Sequence, residues 1–89
     1  MGSLTDLENV SQKETQACFF DEISEIKEIL EMGCAATRGE YNGAINIWKD
    51  DSGKYRASVH RNLSTIDSIE TPKIKAIESY VKTWIPKIQ

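Results

Sequence analysis

The chain has 89 residues, a formal net charge of −3, 39% hydrophobic and 28% charged residues, and two cysteines. That length fits one domain, and a domain so small buries a limited share of its surface, leaving little room for a catalytic cleft. Cys18 and Cys34 are too few for the disulfide framework of a small secreted domain, so cysteine usage points to a reducing compartment.

The start, "MGSLTDLENVSQKE", is polar and acidic. It lacks the basic start and apolar run of a signal peptide, and no stretch approaches the ~20 apolar residues of a membrane span. The expectation is a soluble, cytoplasmic protein without membrane association. It would be a single domain over residues 1–89, with residues 1–10 as a flexible tail. Residues 1–42 carry three basic and nine acidic side chains, whereas residues 43–89 carry eight basic and five acidic. Such a split predicts surfaces of opposite sign, although two halves that pack together with solvated outer faces would give the same count.

Thr5 with Glu8 and Ser11 with Glu14 both fit the capping box, in which two side chains satisfy each other's backbone N–H groups. With Ser11 as the cap, Phe19, Ile23, Ile26 and Leu30 recur at helical spacing and predict a helix from about Gln12 to Met32. Gly33 fits as its C-terminal stop. The far side of that helix carries Glu14, Asp21, Glu25 and Glu28 within one narrow sector. This is either an ordinary solvated face or an acidic ridge for a basic partner. "CAATRGEYNG", with small residues and two glycines, is expected to form a loop that enters a strand near Tyr41.

In "GAINIWKDDSGKYRASVHRN" the residues alternate, with Ile45 and Ile47 on one strand and Tyr55, Ala57 and Val59 on the next. A three-residue loop, Asp51 to Gly53, with glycine at the left-handed bulge position, pairs Ile47 with Ala57 and Ile45 with Val59. The same register sets Trp48 across from Arg56, Asn46 across from Ser58 and Ala44 across from His60, all on the other face. Trp48 opposite Arg56 suits a cation–π contact. Leu63, Ile66 and Ile69, three apart in "LSTIDSIE", are assigned to a short third strand. Thr71 is the expected N-cap of a last helix with Pro72 at its first position. Ile74, Ile77, Val81, Trp84, Ile85 and Ile88 form one apolar face, and Pro86 is expected to break or kink the helix near its end.

The predicted class is therefore α+β: a small two-layer domain in the order α-β-β-(β)-α, with an antiparallel, hairpin-based sheet and two helices on one face. A two-stranded ribbon is marginal in water, so either the third strand or a second copy of the chain must complete the sheet.

Chemistry-bearing motifs are sparse. One histidine cannot build a His-based metal cluster, and Cys18 and Cys34 lack ligand spacing. "KDDSGKY" lacks the calcium-loop spacing, and the glycines match neither phosphate-binding pattern. Neither metal nor cofactor is expected. Cys18 with His60 would need a proximity that spacing does not provide, and a structural cysteine is the plainer reading. Paired carboxylates for acid and base work need a cleft, not a convex helix face. The expectation is no enzyme.

What remains is the outer hairpin face, with Trp48, Arg56, His60, Asn46 and Ser58. Phe20 either extends that surface or belongs to a wide core. Trp and Arg are the types most often found as interface hot spots, and an antiparallel sheet covered on one side leaves its other side available. The first functional reading is a non-enzymatic protein–protein interaction module. It would be a small regulator, inhibitor or adaptor acting through this face or the acidic ridge, with another protein or a second copy as partner. The alternative is nucleic-acid binding. The order helix, three strands, helix is similar to that of double-stranded RNA-binding domains, and Lys54, Arg56, Arg61, Lys73, Lys75 and Lys82 make the C-terminal half basic. That resemblance implies phosphate contacts at the start of the last helix, where "TPKIKAIESY" supplies Lys73 and Lys75. A net negative chain opposes it, since phosphate binding draws on clustered positive charge.

Overall fold

Ile45, Ile47, Ala57 and Val59 lie at the middle of the sheet, all fully buried on one face, in the register that their alternation predicts. The computed structural model describes residues 16–40 and 43–88. Its elements are β1 (Ala17–Phe19), α1 (Ser24–Glu31), β2 (Ala35–Glu40), β3 (Gly43–Lys49), β4 (Tyr55–Arg61), β5 (Ser64–Thr71) and α2 (Ile74–Ile88). The five strands form one sheet in the order β1-β2-β3-β4-β5. β1 runs parallel to β2, with α1 as the crossover that a parallel pair requires, and every other pairing is antiparallel.

Both helices cover the same face. α1 contributes Ile26, Ile29 and Leu30 to the core, and α2 contributes Ile77, Val81 and Ile88, against Ala36, Ile45, Ile47, Ala57 and Val59 from the sheet. This is the predicted α+β class, a two-layer domain with helices on one side. Among the described residues, no helix is long and apolar enough to cross a membrane.

The first helix differs from expectation. Ser24–Glu31 is helical, but Ala17–Phe19 are extended and hydrogen-bonded beside β2, with Ala35 N–H donating to the Gln16 carbonyl at 2.7 Å and Phe20 N–H to the Thr37 carbonyl at 3.1 Å. The capping residues Thr5 and Ser11, Glu14 and the expected tail 1–10 lie outside the described residues. The observed start is closed differently: Glu25 Oε1 accepts the N–H of Asp21 at 2.8 Å and of Glu22 at 2.7 Å. Gly33 does end the helix, at φ +81°, with Gly33 N–H donating to the Leu30 carbonyl and Cys34 N–H to that of Ile29.

The segment expected as a loop is β2, an interior strand. Its Ala36 is fully buried beneath the helical layer, and Gly39, at φ +105°, lies where a Cβ would meet the Gly43 carbonyl oxygen. The predicted third strand is present and longer, running from Ser64 to Thr71. Asn62 and Leu63, both with left-handed backbone (φ 52° and 71°), turn the chain into it. Val59 pairs with Asp67 but His60 with Thr65, so Ile66 is an extra residue on β5. The last helix begins at Ile74, two residues later than Thr71 and Pro72 predict, with the Lys73 carbonyl accepting its first N–H groups; the Thr71 hydroxyl accepts the Lys73 N–H at 3.2 Å just before it. Pro86 does not break the helix, which continues through it to Ile88.

Candidate functional site: the uncovered face of the sheet

With both helices on one face, no element among the described residues covers the other. The strand pairings align Phe19, Thr37, Asn46, Ser58 and Ser68 in one row across all five strands on that side. Beside it run Trp48, Arg56 and Glu70, and on the other flank Gly39, Ala44, His60 and Thr65. Alternation along each strand places these side chains opposite the buried isoleucines.

The row is held by hydrogen bonds. Thr37 Oγ1 donates to Asn46 Oδ1 at 2.6 Å. Ser58 Oγ lies 2.9 Å from His60 Nε2, and Thr65 Oγ1 lies 3.2 Å from His60 Nδ1. Ser58 is 8% exposed although no helix covers it, because its neighbours on the face enclose it. Serine and histidine at this distance have the spacing of a nucleophile and base, but β4 is an interior strand whose backbone N–H groups are taken by the ladders. Each ring nitrogen of His60 has a hydroxyl partner, so the side chain links β4 to β5 at the bulge.

Arg56 is fixed from both sides. Its Nε donates to Asp50 Oδ2 at 2.8 Å and its Nη2 to Glu70 Oε2 at 3.0 Å. The expected cation–π contact with Trp48 is therefore not what holds it. The cation–π contacts among the described residues are Lys49 over Tyr55 and Lys87 over Trp84. Asp50 Oδ1 also accepts Ser52 N–H, Ser52 Oγ–H and Lys54 N–H. The Ser52 hydroxyl first, and Arg56 next, hold the Asp50 carboxyl well below the usual carboxylate range, and Asp50 with Glu70 keeps Arg56 charged. Trp48 is half-buried and does not pack on the core, so its ring is, with Phe19, a large apolar body on this otherwise polar face.

Of the residues singled out from sequence, Trp48, Arg56, His60, Asn46 and Ser58 share this face. Phe20 does not. At 1% exposure it belongs to the core, and Phe19, 77% exposed, stands on the outer row in its place. Neighbouring strand residues face opposite ways, so assigning them to a helix exchanged their roles. The acidic ridge is not a single helical stripe: Asp21 precedes α1, Glu25 is folded back as its cap, Glu28 is exposed, and Glu14 lies outside the described residues. The two hydrogen bonds to Glu25, from Glu22 and then Asp21, lower its pKa. Thr37, Thr65, Ser68 and Glu70 were not marked by the sequence, because their strands carry no strong alternation.

The thiols are separate from this face. Burial first, and then the neighbouring Cys18 thiol, raises the pKa of Cys34, which disfavours a reactive thiolate.

No family model, no curated protein and no solved structure matches the chain.

Proposed function

We propose that the chain is a non-enzymatic protein–protein interaction module, a small regulator, inhibitor or adaptor that binds another protein through the uncovered face of its sheet. The observation that carries this reading is Trp48. It is a large aromatic on a face whose polar neighbours are already tied to one another through Thr37–Asn46, Ser58–His60–Thr65 and Asp50–Arg56–Glu70. Side chains held in place lose little freedom on binding, so a partner meets a preorganised surface. An aromatic anchor ringed by satisfied polar groups is the arrangement found at the centre of interaction hot spots.

The nucleic-acid alternative draws less support. Arg56, the cation on this face, is neutralised by two carboxylates, and four strands follow α1 where the double-stranded RNA-binding order has three.

The test is affinity capture with wild type and Trp48→Ala as paired baits, followed by titration of the captured protein in increasing salt. The expected result is one selectively retained protein that Trp48→Ala loses at least about tenfold. Retention of unrelated nucleic acids with a steep loss in salt would sink the proposal in favour of the alternative.

A further inference from the structure

Cys18 and Cys34 are the chain's two cysteines, and the fold brings them together. Cys18 is the middle residue of β1 and pairs with Ala36, while Cys34 stands two places before Ala36, where α1 hands the chain to β2. Residues two apart on an extended chain share a face, and both cysteines are half-buried against the core on the helix side of the sheet. They are therefore diagonal neighbours across the parallel pair. Burial first, and the Cys18 thiol next, raise the pKa of Cys34, which agrees with that placement.

β1 is the least secured strand of the sheet. It has three residues, and among the described residues it pairs with β2 alone. It nonetheless positions two aromatic side chains: Phe20, just past its end, is 1% exposed in the core, and Phe19, 77% exposed, stands on the outer row beside Thr37. Short edge strands open locally at far less cost than the whole fold. A covalent link from β1 to the α1–β2 junction acts on that opening, because it closes a loop around α1 and removes open conformations.

We propose that Cys18 and Cys34 form a reversible redox strap: a small-molecule disulfide oxidises the two thiols to one intramolecular disulfide that fastens β1, and with it Phe19, to the sheet. The Cys18 thiolate attacks one sulfur of the small disulfide, forming a mixed disulfide and expelling one small thiolate. Cys34 then loses its proton and attacks the Cys18 sulfur, which forms the Cys18–Cys34 bond and expels the second small thiolate. Two protein thiols are oxidised, one small disulfide is reduced to two thiols, and the two protons pass to them. Cys34 comes second because burial disfavours its thiolate until the mixed disulfide stands beside it. Diagonal residues stand about 7–8 Å apart, a little beyond the roughly 4.4–6.8 Å of a relaxed disulfide, so closure needs a small backbone shift. Cys34 can make it, since it precedes the regular strand and follows Gly33, whose surroundings are open. A disulfide closed this way is readily reopened by excess thiol, as a switch requires and a permanent brace does not. The proposal does not rest on what the uncovered face binds.

The experiment places the full chain in buffers of oxidised and reduced glutathione at several ratios, traps free thiols with iodoacetamide and weighs the intact protein. Cys18→Ala and Cys34→Ala serve as controls, each checked for native circular dichroism. The expected result for wild type is a monomer with no alkylatable thiol in excess oxidised glutathione and two in excess reduced glutathione. Each single variant should stop at the mixed glutathione disulfide. Hydrogen exchange should then show the Phe20 and Ala35 amides, which tie the β1 segment to β2, protected at least about tenfold more in the oxidised chain, with Tm raised by several degrees. Two thiols that stay free in excess oxidised glutathione, or that end in mixed or intermolecular disulfides, overturn the proposal. So does a disulfide that forms but leaves exchange of those two amides unchanged.

Discussion

Oδ2 of Asp50 accepts a hydrogen bond from Nε of Arg56 at 2.8 Å, tying the start of the β3–β4 turn to the strand that leaves it. The same carboxylate takes three more bonds from Ser52 and Lys54, so one side chain organises the whole turn. Its folded pKa is depressed, so its contribution to stability is present above the unfolded carboxylate value of about 3.9 and is lost as pH falls below it. Asp50→Asn should lower Tm by several degrees at neutral pH and should lose less stability than wild type on acidification below about pH 4. Thermal melts across that range check both.

Gly39 and Gly53 both have positive φ, at 105° and 89°, but differ in surroundings. A Cβ at Gly39 would meet the Gly43 carbonyl oxygen and lie 2.8 Å from Ala44 Cα, whereas one at Gly53 would meet nothing within 4 Å. Gly53→Ala should cost about 1–2 kcal/mol, the backbone penalty alone. Gly39→Ala should cost distinctly more, since β2 and β3 must separate. Chemical denaturation of the two variants measures the difference, and equal costs would contradict the close strand approach.

The hairpin was legible because both of its strands alternate and Gly53 fixes the loop. Every pairing from Ala44–His60 to Trp48–Arg56 follows from those two facts. β1 and β2 were hidden for opposite reasons. "ACF" is three residues long, and Phe19 and Phe20 fit a helical stripe as well as a strand, so only the parallel pairing with Ala35–Thr37 decides. "AATRGE" has Thr37 as its one β-branched residue and no aromatic, and its core-facing Ala36 is fully buried beneath the helical layer. Phe19 and Thr37 were lost to the candidate face together with those strands.

Ile47 and Trp48 are neighbours on opposite faces of β3, and truncating each separates core from surface. Ile47 is fully buried, so Ile47→Ala should cost about 2–5 kcal/mol. Trp48→Ala should leave the folded state largely unchanged, with a smaller loss than Ile47→Ala, while abolishing partner capture. Urea titrations of both variants test the assignment of faces, and a Trp48→Ala loss as large as that of Ile47→Ala would place the indole in the core.

Tyr80 Oη donates to Asp67 Oδ2 at 2.7 Å, joining α2 to β5. Burial first, then this hydrogen bond and the aspartate charge, raise the tyrosine pKa above its ordinary value. A raised folded value means a stabilising contribution fully present below about pH 10 and lost as pH rises through the folded value. Wild type should weaken above that pH, and Tyr80→Phe should show a flatter alkaline limb. Parallel limbs in melts from neutral to alkaline pH would show that the phenol does not govern the decline.

The pairing of Asp67 with Tyr80 also sets how wide the sheet can grow. Among the described residues β5 pairs with β4 alone, which leaves a row of its backbone donors and acceptors on the sheet's edge, where a strand from another chain could pair. Asp67 stands on the helix side, opposite Val59, and the extra residue Ile66 bends the strand line just before it. A strand arriving there would find its ladder interrupted at the bulge and would strip water from a carboxylate that Tyr80 holds in place. A bulge and an inward-pointing charge each oppose edge-to-edge pairing, and β5 carries both.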